Sequence, residues 1–528
     1  MPVRQILSLK RHLSDSPSVS APKRFPNVAA VKLTSGSSAN GCRVVLWRSG
    51  QPGLYRYTDH LQAGRDTIRG HMIMGWNSYL DDNQKRFIDA LADFISIPSV
   101  SAQDEHFDDV VKAGNWVVDR LHDAGISNAR MMQTETHPVV YGDWLQAGPD
   151  KPTILIYGHF DVQPADPFDL WDTPPFEPTI KDGKIYGRGA SDDKGNMLAP
   201  IFALEALFKA QGQLPVNVKV FYEGQEEIGS PTLPPFIQQH ADMLQADMIF
   251  SSDGGQWGAD QPSLIEGLKG LVGCELTVTG ADGDKHSGMH GGGIANPIHA
   301  LSHIIASMKG LDGKITIDGF YDDVVELTVE DREAIARVPF DNAEYAAKMG
   351  ISEPFGEAGY TTPECLWARP TLELNGIWGG YQGSGTKTVI PSQAHAKITC
   401  RLVADQSPEQ IYQLIRAHVE NNTPPGVTAQ VDRLPATAKP FLVPRGHNAS
   451  EIAGQVLREI YGKEPYRIRV GGSIPVMSML LDALGVHATM FAFGLDDEQI
   501  HAPNEFFRLS SFRRSQESYC QLLESLGG

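Results

Sequence analysis

The chain has 528 residues, 41% of them hydrophobic and 21% charged, with a net charge of −19. That length exceeds one ordinary hydrophobic core, so two or more globular domains are expected. The acidic balance argues against nucleic acid as a partner, because phosphate binding needs clustered cations. No run approaches the roughly 18 uncharged apolar residues of a membrane helix.

Residues 1–71 differ from the rest: eleven basic residues stand against three acidic ones, serine is abundant and no long periodic pattern appears. No apolar signal core is present, so a secretory leader is not expected. The segment reads as a disordered extension, or as chain translated ahead of a start at Met72 or Met74. An Arg/Ser-rich organelle transit segment is the alternative.

From Leu80 onward the pattern sharpens. Phe87, Leu91 and Phe94 share a helical face, and Val110, Val117 and Leu121 share a second that ends near Gly125. Apolar runs at Val139–Trp144, Ile154–Tyr157, Val216–Tyr222 and Met248–Ser251 read as strands, with a helix over Asn196–Ala210. Strands alternating with helices predict an α/β sheet of largely parallel strands, whose carboxyl ends are the places for a site. His159, Glu226 and Asp253 fall at such ends.

Near Leu268 the character changes. Leu271–Thr279 alternates apolar and polar, as a half-exposed strand does. A Gly-rich loop from His286 to Gly293 precedes a helix that starts at Pro297 and runs to about Met308. Strands are expected at Thr386–Ile390 and Ala394–Val403, and a helix at Pro408–Val419. The stretch from Leu311 to Thr371 shows no organisation. After Pro440 the α/β pattern returns, with helices at Ala449–Tyr461, Met477–Leu484 and Leu509–Leu526 and strands at Arg467–Val470 and His487–Phe493. The expected layout is therefore a catalytic α/β domain in two parts, 72–268 and 439–528. Its sheet is mixed, largely parallel and flanked by helices, and an α+β domain, 269–438, is inserted in it.

The five cysteines, Cys42, Cys274, Cys365, Cys400 and Cys520, are scattered, with no Cys-x-x-Cys pair. They read as reduced thiols of a cytoplasmic-type protein, which leaves histidine and carboxylate as metal ligands. His159 and Asp161 lie one residue apart, so in extended chain both face the same way and the acid can hold the imidazole. On residues alone, the histidine could equally cap a strand above an Asp turn. Asp192 and Asp193 offer a carboxylate that could bridge two cations, or a helix N-cap. Glu226 and Glu227 follow an apolar strand, where they are either solvated or used. Asp253 is a strand-end ligand or an Asx turn, and His501 alone reads as a surface histidine. Taken together, two histidines and several carboxylates after α/β strands suit a pair of divalent cations, with zinc, manganese and cobalt all compatible.

Longer blocks carry a resemblance. GHFDVQP (158–164), DGKIYGRGASDDKG (182–195), EGQEEIGS (223–230), SSDGG (251–255), DKHSGMHGG (284–292), GGYQGSGTKTVIPS (379–392), RLV (401–403), GGSIP (471–475) and HAPNE (501–505) occur in one order. From about Asn83 to the end, the chain resembles the carnosinase-like dipeptidases. Their co-catalytic zinc metallopeptidase family includes aminoacylases, desuccinylases and glutamate carboxypeptidases.

The resemblance implies two divalent metals, zinc first and manganese or cobalt as substitutes. His159 and Asp253 would hold one and Glu227 and His501 the other, with Asp192 bridging them and its peptide to Asp193 expected to be cis. Glu226 would be the general base acting on a metal-bridging hydroxide, and Asp161 would orient His159. His286 would reach across a homodimer formed through the inserted lid, and Arg401, Gly472 and Ser473 would bind the substrate carboxylate. The implied reaction is hydrolysis of dipeptides or other short peptides with a free C-terminal carboxylate. Amide hydrolysis of N-acyl or N-carbamoyl amino acids is the alternative, and a non-catalytic binding relative a remote one. Some relatives have arginine after the Ile-Pro of the lid motif; Ser392 stands here, which shifts carboxylate recognition toward Arg401.

Overall fold

The computed structural model describes residues 75–528. Of the earlier chain it describes only three short strands, Val31–Leu33, Val44–Arg48 and Gln51–Pro52, which pair antiparallel. The expectation of a disordered or transit segment at 1–71, and Cys42 with it, otherwise lies outside the described residues.

The body begins with helices α1 (Trp76–Ile95) and α2 (Phe107–Asp123). Leu80, Phe87, Leu91 and Phe94 of α1 are buried, as are Val110, Val117 and Leu121 of α2, at the spacing that predicted them. Beyond α2 the Gly125 N–H donates to the His122 carbonyl, and the Ile126 N–H to that of Leu121. Gly125 sits at φ +103°, the left-handed turn that ends a helix this way.

Strands β1 (Arg130–Met132), β2 (Val139–Trp144), β3 (Thr153–His159), β4 (Asn217–Glu223) and β5 (Met248–Ser251) follow, with α3 (Asn196–Gln211) between β3 and β4. The inserted segment contributes β6 (Gly270–Thr279), α4 (Pro297–Ala306), β7 (Thr371–Gly379), β8 (Gln393–Leu402), α5 (Pro408–Asn422) and β9 (Thr428–Ala438). The chain closes with α6 (Asn448–Tyr461), β10 (Tyr466–Val470), α7 (Pro475–Leu484), β11 (Ala488–Met490) and α8 (Leu509–Gly527).

The main sheet has six strands in the order β11-β5-β3-β4-β2-β1. The first four run parallel; β2 pairs antiparallel with β4, and β1 antiparallel with β2. Alternate residues of β3 serve two cores. Ile154 and Ile156 join one with α1, α2, α3 and α8, whereas Leu155 and Tyr157 join another with α7. Helices thus cover both faces, and the carboxyl ends of β3, β4 and β5 open on the same edge.

The inserted sheet is antiparallel throughout, in the order β7-β8-β6-β9. Val272, Cys274, Leu276 and Val278 of β6 face α4 and α5, where Leu301, Ile304, Ile411 and Ile415 complete a third core. Leu271, Glu275, Thr277 and Thr279 lie on the more open face, as their alternation predicted.

Three sequence expectations need correction. The strand expected over Thr386–Ile390 shrinks to Val389–Ile390. The one over His487–Phe493 shrinks to β11, because the chain then bends so that the Phe493 N–H donates to the Asn196 side chain. The stretch from Leu311 to Thr371 is ordered. It holds short helices at Val329–Ala336, Asn342–Met349 and Thr362–Ala368, each opened by a side-chain cap from Thr328, Asp341 or Thr361, and then enters β7. Helices of seven or eight residues make about two turns, too few for apolar periodicity to show. Among the described residues no helix is long and apolar enough to cross a membrane.

Candidate metal centre

His159 is the last residue of β3 and is fully buried. Glycine precedes it because a Cβ at Gly158 would lie 2.5 Å from Ser252 Oγ and 2.8 Å from Met197 Cβ. The ring is fixed on both sides. Nδ1 meets the Asp161 carbonyl at 3.1 Å and Asp161 Oδ1 at 3.4 Å, while Nε2 meets Asp192 Oδ1 at 3.0 Å. Asp253, two residues beyond β5, brings Oδ2 to 4.0 Å from the same Nε2.

The second oxygen of Asp192, Oδ2, lies 3.0 Å from His501 Nε2, and Glu227 Oε2 lies 3.2 Å from that nitrogen. Gln163 Nε2 donates to Glu227 Oε2 at 2.9 Å. Two donor groups result, His159–Asp192–Asp253 and Asp192–Glu227–His501, with Asp192 common to both. The Asp192–Asp193 peptide is cis. His501 has φ +60° and a side chain 52% exposed, so the second group opens outward while the first is sunk into the body.

Asp161 does more than face the histidine. Its carboxylate accepts the backbone N–H groups of Glu226 and Glu227, both at 3.1 Å, and the Ser101 hydroxyl at 2.6 Å. One aspartate therefore ties the end of β3 to the turn after β4. Glu505, from the HAPNE segment, is another such tie and was not singled out from sequence. It accepts the N–H groups of Gly189, Ser191 and Asp192 and pairs with Arg188 at 2.7 Å.

The electrostatics show an excess of negative charge. Hydrogen bonds to the Asp192 and Glu227 carboxylates push His501 up to about 10. His159 is also raised, its contacts with Asp161 and Asp192 outweighing burial, which acts the other way. Burial pushes Asp253 up to about 7, and the Asp192 and Glu227 charges add to it. Asp192 is buried too, yet the two histidines hold its carboxyl well below the usual range. Nitrogen and oxygen donors in two trios, balanced only by protons, are the donor chemistry of a divalent cation pair. The residues present fit such a pair.

The substrate-binding residues divide. Arg401 of β8 donates from Nη1 to Ser473 Oγ at 2.9 Å, so the inserted sheet and the Gly471–Pro475 loop meet there. Gly472 is exposed, and its carbonyl accepts the Lys269 N–H at 3.1 Å. His286 is exposed in a two-residue strand, Lys285–His286, that pairs antiparallel with Val389–Ile390, and its Nδ1 accepts the Gly288 N–H at 3.0 Å. It belongs to neither donor group. Ser392 donates its N–H to Asp284 at 3.1 Å.

The profile of Peptidase family M20/M25/M40 matches residues 155–525. The chain belongs to this family. It is 31% identical over 461 residues to the Cys-Gly metallodipeptidase dug1 of Schizosaccharomyces pombe, covering 85% of this chain and 97% of that one. Among solved structures it resembles the M20 family metallo-carboxypeptidase Sso-CP2 of Sulfolobus solfataricus, at 32% identity and a TM-score of 0.73, covering 84% and 99% of the two chains. It also resembles human carnosine dipeptidase 1, at 29% identity and a TM-score of 0.70, covering 86% and 98%. For this M20 chain, the two trios lie in the part of the sequence that the family profile spans, and the fold described above is the family's.

Proposed function

We propose that the chain is a dipeptidase: a two-metal hydrolase that cleaves the amide bond of dipeptides and other short peptides with a free C-terminal carboxylate. The observation that carries this reading is the single carboxylate of Asp192, with one oxygen 3.0 Å from each of two histidines. His159 and Asp253 would hold one cation, Glu227 and His501 the other, and Asp192 both. Zinc suits this mixed imidazole and carboxylate set, and manganese or cobalt can replace it. When bound, the pair supplies Lewis-acid polarisation of the scissile carbonyl and a lower pKa for water.

Glu226 is the general base. Burial raises its carboxyl well above the usual range, and the Asp253 and Glu227 charges add to the effect while His159 opposes it. A carboxylate so disposed can take the proton of the attacking water, hold it, and hand it to the leaving amine. Asp161 keeps His159 in one orientation and keeps Glu226 beside it through the backbone. Arg401, aligned by Ser473, receives the substrate carboxylate together with the Gly472–Ser473 loop, where a guanidinium fork suits two oxygens. His286 stabilises the developing oxyanion from the partner subunit of a homodimer formed through the inserted lid, residues 269–438. Cys274, Cys365, Cys400 and Cys520 are unbridged, in keeping with a cytoplasmic protein.

The three relatives are named for Cys-Gly, for carnosine and for carboxypeptidase action, which supports a short substrate with a carboxyl terminus. A panel of free-amine dipeptides and N-acetyl amino acids, each with zinc, manganese and cobalt, tests the reading. Turnover of the dipeptides is expected; turnover of the blocked amino acids alone would replace it with an acylase.

A further inference from the structure

A cavity of about 830 Å³ opens beside the buried trio, with Asp192 and Asp253 on one wall. Charged side chains stand along its rim, and much of the remaining wall is apolar, from Trp257, Phe340, Tyr345, Met349, Trp367 and Ile500. They come from distant parts of the chain. Trp257 follows the Asp253–Gly255 turn, Ile500 precedes His501, and Phe340, Tyr345, Met349 and Trp367 belong to the short helical segments of the insert. The aromatic rings support one another. Trp257 meets Trp367 edge-on at 6.4 Å and Tyr466 edge-on at 5.9 Å, and Phe340 lies 5.2 Å from Tyr345.

Several of these side chains are far from sealed. Ile500 is 52% exposed, Met349 49% and Trp257 37%. Apolar groups left open around one concavity, next to convergent polar donors, mark a place where a ligand covers them. Several of the charges along the rim are engaged within the protein. Asp341 accepts the Ala343 and Glu344 N–H groups, Lys348 reaches Asp496 at 3.3 Å, and Arg469 reaches Asp331 at 3.0 Å. Neither Arg401 nor Ser473 lines the cavity. With the substrate carboxylate assigned to Arg401, outside the cavity, the part of a dipeptide left to fill a space walled by Asp192 and Asp253 is its amino-terminal residue.

We infer that this cavity receives the side chain of the amino-terminal residue and selects substrates in which that residue is large and aromatic or aliphatic. The inference rests on the dipeptidase reading above. Filling an apolar wall of this extent favours Phe-Gly and Leu-Gly over Ala-Gly and Gly-Gly by about tenfold or more in kcat/KM. The same preference extends to products, so L-phenylalanine inhibits competitively at lower concentration than L-alanine.

The test measures kcat/KM for Phe-Gly, Leu-Gly, Ala-Gly and Gly-Gly with the metal-loaded full chain and with the variants Met349→Glu and Trp257→Ala. The ratio of Phe-Gly to Ala-Gly is expected to fall about fivefold or more in each variant, with the inhibition by L-phenylalanine weakened in parallel. Equal turnover of all four dipeptides, or a ratio that neither variant changes, overturns the inference and leaves the dipeptidase reading standing. Turnover of N-acetyl amino acids alone overturns both.

Discussion

Glu505 Oε1 accepts the backbone N–H of Asp192 at 3.1 Å, and 313 positions of sequence separate the two residues. Glu505 is fully buried, and so is Arg188, whose guanidinium meets its other oxygen at 2.7 Å. With the N–H groups of Gly189 and Ser191 also directed at it, this carboxylate holds the whole turn that presents Asp192 to both histidines. Glu505→Gln replaces one acceptor oxygen with an amide donor facing donors and leaves Arg188 without its charge partner. A loss of about 3 kcal/mol in stability is expected from breaking the buried pair. Metal affinity should drop on the order of 10- to 100-fold, as for removal of a group that orients a ligand. Thermal unfolding and metal titration check the two effects separately; a destabilised variant with unchanged metal affinity would leave Glu505 as scaffold only.

Glu226→Gln keeps the shape of the side chain and the backbone N–H bond to Asp161 at 3.1 Å while removing the proton acceptor. Turnover should fall on the order of 10²- to 10⁴-fold with metal content at two equivalents per chain. Metal analysis alongside kcat decides it. Substantial residual turnover in fully loaded protein would mean that another group moves the proton.

Metal removal should be felt more as pH rises. Asp253, burial-shifted to about 7 when folded, has an ordinary carboxyl near 4 when unfolded. A carboxyl raised in this way stabilises the metal-free fold while it is protonated. The contribution is complete below about pH 4 and is lost as pH climbs through about 7. His501, raised to about 10, acts in the same sense: its share is complete below about 6.5 and is lost toward 10. Cations replace these protons, so their binding releases protons and strengthens over the same range. The gap in Tm between metal-loaded and chelator-treated protein is expected to widen from about pH 5 to about pH 8. A constant gap would show that the trios are not where the cations bind.

Much of the candidate centre was legible because several of its proposed ligands follow recognisable buried runs. β3 ends in His159, and Glu226–Glu227 and Asp253 come shortly after β4 and β5; a charge after a buried run has few reasons to be there. What was not legible depended on distant partners. Nothing local to Glu505 says that it meets Asp192, and nothing in Val139–Trp144 says that it pairs antiparallel with β4. Asp161 was expected beside His159, and it is there, but its hold on the Glu226 and Glu227 backbone needed β3 and β4 to be neighbours first. The walls of the apolar cavity were hidden for another reason. Phe340, Tyr345 and Met349 sit in or beside an eight-residue helix too short to announce itself by period.

The proposed carboxylate clamp at Arg401 offers the sharpest separation of substrate recognition from chemistry. It stands on β8 of the inserted sheet, half-buried, and burial lowers its guanidinium pKa. Its Nη1 is already aligned by Ser473, which leaves the other donors of the fork for a carboxylate. Losing a charge-assisted, two-point contact costs about 1.5–3 kcal/mol, so Arg401→Ala should lower kcat/KM for a dipeptide on the order of 10- to 100-fold, mainly through KM. Arg401→Lys keeps the charge but not the fork and should recover only part of that loss. The control is the same dipeptide with its C-terminus amidated. The amide offers no carboxylate to clamp, so wild type and Arg401→Ala should hydrolyse it at similar, low rates. An equal loss on acid and amide would show that Arg401 holds the loop in place and does not bind the substrate's carboxyl end.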